Sequence, residues 1–486
     1  MNKKGFTLVE LLAVIAILAI LVIIALPNVL KMYNNAKKNT FLTEAKTVYS
    51  EVSKKYISES MKGNKLSYIS GDDNTKLDMT GNNLKYCIKL DNNGKITAMK
   101  VGNDNYYIFY DGSKDISKLD INDVYEGKYV QNSCNANTII TKDGKPPAKA
   151  CTYDGDINAG DAIQIGIYTY HYKQDYSLED GKLTNITSDT FHVELTDKAS
   201  TDAVTEAPCS SINGKLVTSM ALMFAQSKVI SINLSDFDTS KITNMAGMFG
   251  ESSASALDLS SFDTSKVTDM SMMFTAGQAT KIVGLNKFNT SNVTSMQEMF
   301  FASFAQTLDL SGFNTSKVTD MSYMFSYSQA TTLDLSSFDT SKVSDMGMMF
   351  TASQATKIVG LNKFNTSKVT DMYGMFKNAK ATTLDLSSFD TSKVTRMTEM
   401  FQESEATKII GLNKFNTSKV TDMFGMFRNS AATTLDLSSF DTSNVTDMSS
   451  MFTNAKATTG YARTQADADK FNNSSNKPSS LTFVVK

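Results

Sequence analysis

Histidine, the side chain that most often carries acid–base and metal chemistry, is scarce in this chain. The sequence has 486 residues, only two histidines (His171 and His192) and no tryptophan. Neither histidine has a convincing set of further ligands nearby, so we expect no metal at either one. The sequence also lacks a nucleophile–base pattern and a phosphate-binding loop. We therefore expect a protein that is not an enzyme and that carries no cofactor.

Four cysteines are the next candidates for chemistry: Cys87, Cys134, Cys151 and Cys209. Their spacing matches no zinc motif, and an even number of cysteines in an exported chain favours disulfides. Bridges confined to single modules would join Cys87 to Cys134 and Cys151 to Cys209. A Cys134–Cys151 bridge across the intervening segment is the main alternative, and free thiols also remain open.

A glutamate interrupts an apolar run near the N-terminus. Between Phe6 and Leu30 the residues are apolar apart from Glu10, a few small polar residues and Pro27. The run is long enough to span a bilayer as a helix, too long for a signal peptide, and followed by no Ala-x-Ala site. A carboxylate within a membrane helix costs about 2.5–3.5 kcal/mol, so Glu10 requires a partner that a simple anchor would not supply.

The segment Lys-Gly-Phe-Thr-Leu-Val-Glu-Leu-Leu at residues 4–12 resembles the prepilin cleavage and methylation motif of type IV pilins and type II secretion pseudopilins. The resemblance implies cleavage after Gly5 by a prepilin peptidase and N-methylation of Phe6. It also implies that Glu10 neutralises the terminal amine of a neighbouring subunit and that Pro27 kinks the helix. The implied partners are the membrane and other pilin subunits.

Hydrophobic periodicity divides the remaining chain into modules. A period of three to four residues from Phe41 to Tyr56 predicts an amphipathic helix, and period-two patterns from Leu84 onward predict strands. The predicted fold is α+β. Its segments are a leader (1–5), a long pilin helix (6–62, with 6–30 transmembrane), a β head (63–145), a linker (146–150), a small β module (151–210), a leucine-rich-repeat-like β-solenoid (211–457) and a C-terminal cap (458–486).

The solenoid prediction rests on a phenylalanine that recurs every 25 or 26 residues. A period in the twenties with a Leu-x-Leu core is typical of leucine-rich-repeat solenoids. The recurring positions are Phe237, Phe262, Phe288, Phe313, Phe338, Phe364, Phe389, Phe415 and Phe440.

One copy explains the expected coil. Leu257 and Leu259 should point inward from a strand, and Asp269 should cap a short helical turn whose inner face carries Met270 and Met273. Three copies are one residue longer, and we expect their glycines to absorb a bulge: Gly284, Gly360 and Gly411. The recurring methionines are better explained as core than as soft-metal ligands. Calcium binding by the recurring aspartates remains open, although capping explains them better.

The repeats, with their Met-x-x-Met-Phe signature, resemble the BspA family of leucine-rich-repeat surface proteins, which implies adhesion without naming a host or bacterial ligand. The 48 basic and 50 acidic residues give no reason to expect nucleic acid. We predict a minor type IV pilin with extracellular domains that displays the solenoid for protein or glycan recognition. A type II secretion pseudopilin and a non-polymerising membrane-anchored adhesin are the alternatives.

The variable pair between the two methionines of each copy predicts the binding face. Stacked coils should align these pairs in an exposed stripe, on which Tyr323, Tyr373 and Phe424 are candidate anchors. Neutral drift at surface positions would also explain the variation, and the opposite strand face, which carries Asp258, is the alternative location.

Overall fold

A computed structural model describes residues 8–71, 76–77, 84–110, 118–126, 129, 134, 148–176, 183–185 and 187–486, with side chains from Met32 onward except at 183 and 185. The chain divides into two compact units between residues 147 and 148. Gly5 and Phe6 lie outside the described residues, as do the side chains of Glu10 and Pro27.

The first unit consists of one long helix and a five-stranded antiparallel sheet whose strands pair in chain order. Asp91 Oδ1 accepts the N–H groups of Asn93 and Lys95 and thereby closes the hairpin between the second and third strands. The elements are α1 (Leu8–Met61), β1 (Tyr68–Ser70), β2 (Lys85–Leu90), β3 (Ile96–Gly102), β4 (Tyr106–Tyr110), a 3-10 turn (Ile121–Asp123) and β5 (Val124–Glu126).

The second half of α1 packs on this sheet through one apolar face. Phe41, Ala45, Val48 and Val52 are buried in the same core as the strand residue Ile88. Their three- to four-residue spacing places them on one side of the helix, as the sequence pattern predicted.

The second unit begins with eight strands: β6 (Ala150–Cys151), β7 (Ala162–Ile165), β8 (Tyr168–Tyr172), β9 (Gln174–Tyr176), β10 (Leu183–Asn185), β11 (Phe191–Leu195), β12 (Ser211–Ile212) and β13 (Lys215–Ser219). Six of them form a sheet in the order β6-β12-β13-β11-β8-β7, and β9 and β10 form a two-stranded hairpin. Parallel pairing of β11 with β13 places Phe191 opposite Val217. One continuous core runs from Ile163 to Phe483, so these strands share their core with the repeats.

The repeats form a β-solenoid, which confirms that part of the predicted fold. Each short strand turns one leucine or isoleucine inward, as where Leu257 lies opposite Ile282 in a parallel pair. Three 3-10 turns accompany these strands: Leu285–Lys287, Leu361–Lys363 and Leu412–Lys414. The strands are β14 (Ala256–Asp258), β15 (Lys281–Val283), β16 (Thr332–Asp334), β17 (Lys357–Val359), β18 (Thr383–Asp385), β19 (Lys408–Ile410) and β20 (Thr434–Leu437).

The prediction that the three recurring glycines absorb bulges is wrong. Gly284 has a φ of 93° and begins a 3-10 turn. A Cβ at this position would lie 2.6 Å from the backbone nitrogen of Ser260 in the preceding coil. The glycine therefore allows both a left-handed turn and a close approach of two coils.

Two buried columns hold neighbouring coils together. The phenylalanines that end each Met-x-x-Met-Phe sequence stack coil upon coil, and Phe300 and Phe325 have ring centroids 5.7 Å apart at an interplanar angle of 3°. A buried threonine follows the same repeat: the Thr315 hydroxyl donates to Asp339 O at 2.9 Å and accepts the Asp339 N–H at 2.8 Å. This hydroxyl thus satisfies two backbone groups of the next coil.

The predicted C-terminal cap contains β21 (Thr459–Ala462), α2 (Gln465–Asn472) and β22 (Thr482–Val485). The last strand continues the parallel sheet by pairing with β21. Phe471 and Phe483 pack against Phe452 with ring centroids 5.7 and 4.8 Å away. The cap therefore covers the last ring of the phenylalanine column.

Candidate recognition face

The Met-x-x-Met-Phe segments form a backbone ladder along one side of the solenoid. The N–H groups of Met270, Met272 and Phe274 donate to carbonyls of the following coil at 2.8–3.3 Å. We call the surface formed by these segments and the few residues after them, from Met220 to Lys456, the ladder face. Because alternate amides bond along the solenoid axis, the segment is not the short helix expected from the sequence.

Left-handed residues recur at two positions of each ladder segment. In one coil they are Met272, with a φ of 55°, and Ala276, with a φ of 50°. The carboxylate of Asp269 accepts the N–H of Ser271 at 2.9 Å and fixes the start of the segment. The recurring aspartate thus caps a turn of the ladder and not a helix.

The predicted anchors lie on the ladder face but are not exposed. Tyr323, Tyr373 and Phe424 are all half-buried, which corrects the expectation of an outward pair. Arg396 of the next coil lies over the Tyr373 ring, 4.0 Å from its centroid, so this ring is already covered. The first residue of the pair is buried in several coils, as at Ser322, because it lies beside the stacked backbone.

A cluster of aromatic side chains that the sequence interpretation missed lies on the same face. Phe304 and Tyr327 are 44% and 52% exposed. The Phe301 ring meets Tyr327 and Tyr323 edge-on, with centroids 5.8 and 6.4 Å away. We call Phe301, Phe304, Tyr323 and Tyr327 the aromatic patch. Comparing the residues after each Met-Phe would have revealed it, because other coils carry threonine, glutamine or alanine there.

Charged side chains dominate the ladder face on the C-terminal side of this patch. Lys377 bonds to Glu399 at 2.6 Å, and Lys380 bonds to Glu405 at 2.5 Å. Each pair joins a lysine of one coil to a glutamate of the next. These cations are therefore neutralised by neighbours within the solenoid.

The aspartate column does not gather into a cation site. Burial raises the pKa values of Asp269 and Asp345, and both carboxylates accept a backbone N–H two residues further on. Within the described residues, no group of three or more histidine, cysteine or acidic side chains could hold a metal ion. Capping accounts for these carboxylates.

The two histidines lie in a polar cluster where β11 joins the first coil. The Ser219 hydroxyl donates to Asp175 at 2.6 Å, so His192 Nδ1, 3.0 Å from the same oxygen, must be the donor in that contact. His192 is fully buried, which lowers its pKa to about 3. Burial raises the pKa of Glu194, but hydrogen bonds from His171 and Lys198 outweigh it, and the resulting pKa is about 2.

The structure contains two disulfides, Cys87–Cys134 and Cys151–Cys209. Each bridge stays within one compact unit. The pairing is the one that modular organisation favoured, and no bridge joins Cys134 to Cys151. Among the described cysteines none is free.

This architecture is that of a repeat solenoid preceded by a helix-and-sheet unit. Residues 194–283, 277–381 and 353–465, which together span more than half of the chain, match the family described as "Mycoplasma protein of unknown function, DUF285". The chain belongs to that family. Residues 1–26 match the prokaryotic N-terminal methylation motif, which confirms the prepilin-type N-terminus. Neither a curated protein nor a solved structure matches the chain.

Among the residues that the structure describes, no helix combines the length and the apolar character that a membrane span requires. The side chains of the predicted span, residues 6–30, are outside that description.

Proposed function

We propose that this protein is a pilin-like surface subunit, a minor type IV pilin, whose solenoid recognises a ligand outside the cell. The observation that carries the proposal is the joining of a prepilin-type methylation motif at residues 1–26 to a repeat solenoid in one chain. A helix from Leu8 to Met61 follows the motif and packs its second half on an antiparallel sheet, which supports a pilin-like plan.

Assembly would depend on the charge at the processed terminus. Cleavage after Gly5 creates a positive amine on Phe6 at the end of an apolar helix. In a bundle of such helices the amine and Glu10 of a neighbour would each cost free energy alone, and they neutralise each other when paired. Glu10 is therefore the assembly residue in this proposal, with Pro27 as the position that bends the helix.

Display would depend on the ladder face. The repeats keep the buried methionine and phenylalanine columns constant and vary the outward positions, so the solenoid presents an uneven surface on a regular support. We propose a binding role without catalysis. The polar cluster of His192, Ser219 and Asp175 supports this, because its bonds join the first strands to the first coil in the interior.

Processing and assembly are tested together in cells that have an active prepilin peptidase. Mature protein should begin at N-methylated Phe6. Glu10→Ala should leave insertion intact and abolish incorporation into filaments labelled with antibody to the solenoid. Glu51→Ala is the matched control, because Glu51 lies on the same helix and pairs at the surface with Lys54.

Three results would contradict the pilus assignment. A chain cut elsewhere would reject the processing site, and normal assembly of Glu10→Ala would reject the pairing. Processed protein that labels the cell body and never a filament would favour a pseudopilus or an anchored adhesin instead.

A further inference from the structure

The aromatic patch differs from its neighbours on the ladder face because adjacent coils do not repeat its rings and two of them, Phe304 and Tyr327, are exposed. At the position of Tyr327 the adjacent coils carry Ala302 and Ala352, and all three residues have a left-handed backbone conformation. Tyr327 has a φ of 57° and is half exposed. The ladder imposes this conformation in every coil, and alanine fills the position in both adjacent coils. Stacking therefore does not require an exposed aromatic ring here, which points to a role outside the fold.

The patch also offers hydrogen bonds that the chain itself does not use. In the described part of the chain, the hydroxyls of Tyr323 and Tyr327 have no hydrogen-bond partner. Gln278 and Gln329 occupy, in the adjacent coils, the position that Phe304 holds in its own coil. Their side-chain amides make only long contacts of 3.4 Å to carbonyls two residues earlier. Phenol and amide groups therefore surround the exposed rings and remain able to bind a ligand.

Charge narrows the class of ligand. The four patch residues are uncharged, and the lysines of the neighbouring C-terminal coils, Lys377 and Lys380, are paired with glutamates. Two carboxylates act on Tyr323, namely Glu298 and Asp345, and burial raises the pKa of each. Arg396, which acts on Tyr323, lies 3.6 Å from Asp371. These three cations are therefore already paired and offer no free charge to a sulfated, phosphorylated or carboxylated ligand.

We propose that the aromatic patch binds a neutral oligosaccharide. A pyranose ring has an apolar face of C–H groups that packs on an aromatic ring, and hydroxyls at its edge that bond to phenols and amides. Phe304 and Tyr327 supply exposed rings, and Tyr323, Gln278 and Gln329 supply the polar groups. This inference rests on the proposed recognition function and specifies its ligand class.

The test uses the full chain in detergent micelles and a patch variant built from residues that other coils already carry. Phe301→Thr, Phe304→Gln, Tyr323→Met and Tyr327→Ala copy the equivalent positions Thr275, Gln278, Met348 and Ala352. The control variant, Asn429→Ala with Ala431→Gln, changes the positions equivalent to Tyr327 and Phe304 in a coil remote from the patch. Binding is measured by calorimetry with cellohexaose, mannohexaose and chitohexaose as neutral probes and a heparin hexasaccharide as the anionic probe.

We expect at least one neutral probe to bind the native chain and the control, and its affinity to fall at least about tenfold in the patch variant. Binding of heparin alone, of no probe, or of a neutral probe equally to all three proteins overturns the inference. A parallel assay of cell attachment separates it from the proposed function. Periodate destroys sugars on the target cells. If the native chain still attaches to periodate-treated cells and the patch variant does not attach, the ligand of the patch is a protein. That result overturns the oligosaccharide and leaves the recognition function standing.

Discussion

Aromatic residues occur in two settings in the solenoid, and the contrast between them separates folding from recognition. Inside, Phe300 and Phe325 belong to a column repeated in every coil, fully buried and stacked almost parallel. On the ladder face, Phe301 and Tyr327 occur in single coils, meet edge-on and remain partly exposed. A residue that every coil repeats serves stacking, because each coil must fit the next. A bulky residue that occurs in only one coil is not required for stacking.

The largest expected effect is on the inner column. Phe325→Ala removes a buried ring that stacks on Phe300 and Phe350, and large cavities of this kind cost roughly 3–5 kcal/mol. Urea unfolding followed by circular dichroism should show this loss. Tyr327→Ala, two residues away, should change the free energy of unfolding by less than about 0.5 kcal/mol. Equal losses in the two variants would remove the distinction between column and patch.

The second prediction concerns His192, a buried residue that the repeats do not contain. His192 has a pKa of about 3 in the folded chain, below the ordinary value of 6.5, because it is buried. Between pH 6.5 and about pH 3, His192 is therefore protonated in the unfolded chain and neutral in the folded chain. The free energy of unfolding falls as the pH is lowered through this range. From pH 7 to pH 5 the loss should be about 2 kcal/mol.

His192→Gln keeps a side-chain donor for Ser219 and removes the titration. Its free energy of unfolding should fall less than that of the native chain between pH 7 and pH 5. Below about pH 4.5, protonation of Glu194 in the unfolded chain should destabilise both proteins, because the pKa of this group is lowered to about 2 in the fold. An identical dependence on pH between 7 and 5 would assign the loss to other groups.

The smallest predicted effect tests the ladder's left-handed positions. Ser449 and Ser450 are adjacent, but only Ser450 has a positive φ, 58°. Ser450→Gly should raise the free energy of unfolding by about 0.5–1 kcal/mol, because the left-handed penalty exceeds the entropy that glycine loses. Ser449→Gly should lower it, because the glycine adds flexibility and removes a hydroxyl that bonds to Asp447. Matching changes in the two variants would contradict the left-handed assignment.

The repeated features of the solenoid could be read from the sequence, and the features without a sequence signal could not. The period of 25 or 26 residues and the inward pattern around Leu257 follow from the spacing of apolar residues, which the solenoid confirms. The left-handed positions could not be predicted from the sequence, because residues such as Leu222, Met272 and Tyr323 do not favour that conformation. Hydrogen bonds between coils impose it, and those depend on stacking and not on local preference.

The candidate site divides in the same way. The variable pairs predicted an exposed binding stripe on this side of the solenoid, and its binding role stays a prediction. One of its three named anchors, Tyr323, belongs to the aromatic patch. The exposure of Tyr373 was misjudged because Arg396, which covers it, is 23 residues away in sequence and adjacent only across the stack. Phe304 and Tyr327 were missed because they follow the Met-Phe signature and were not compared between coils.

The most direct test of this division is to measure thermal stability and attachment on the four-residue patch variant of the full chain. We expect a melting temperature within about 2 °C of the native value, because another coil already carries each replacement residue, and we expect attachment to target cells to be lost. A melting temperature lowered by many degrees with attachment retained would contradict it, because the aromatic patch would then belong to the fold and recognition would lie elsewhere.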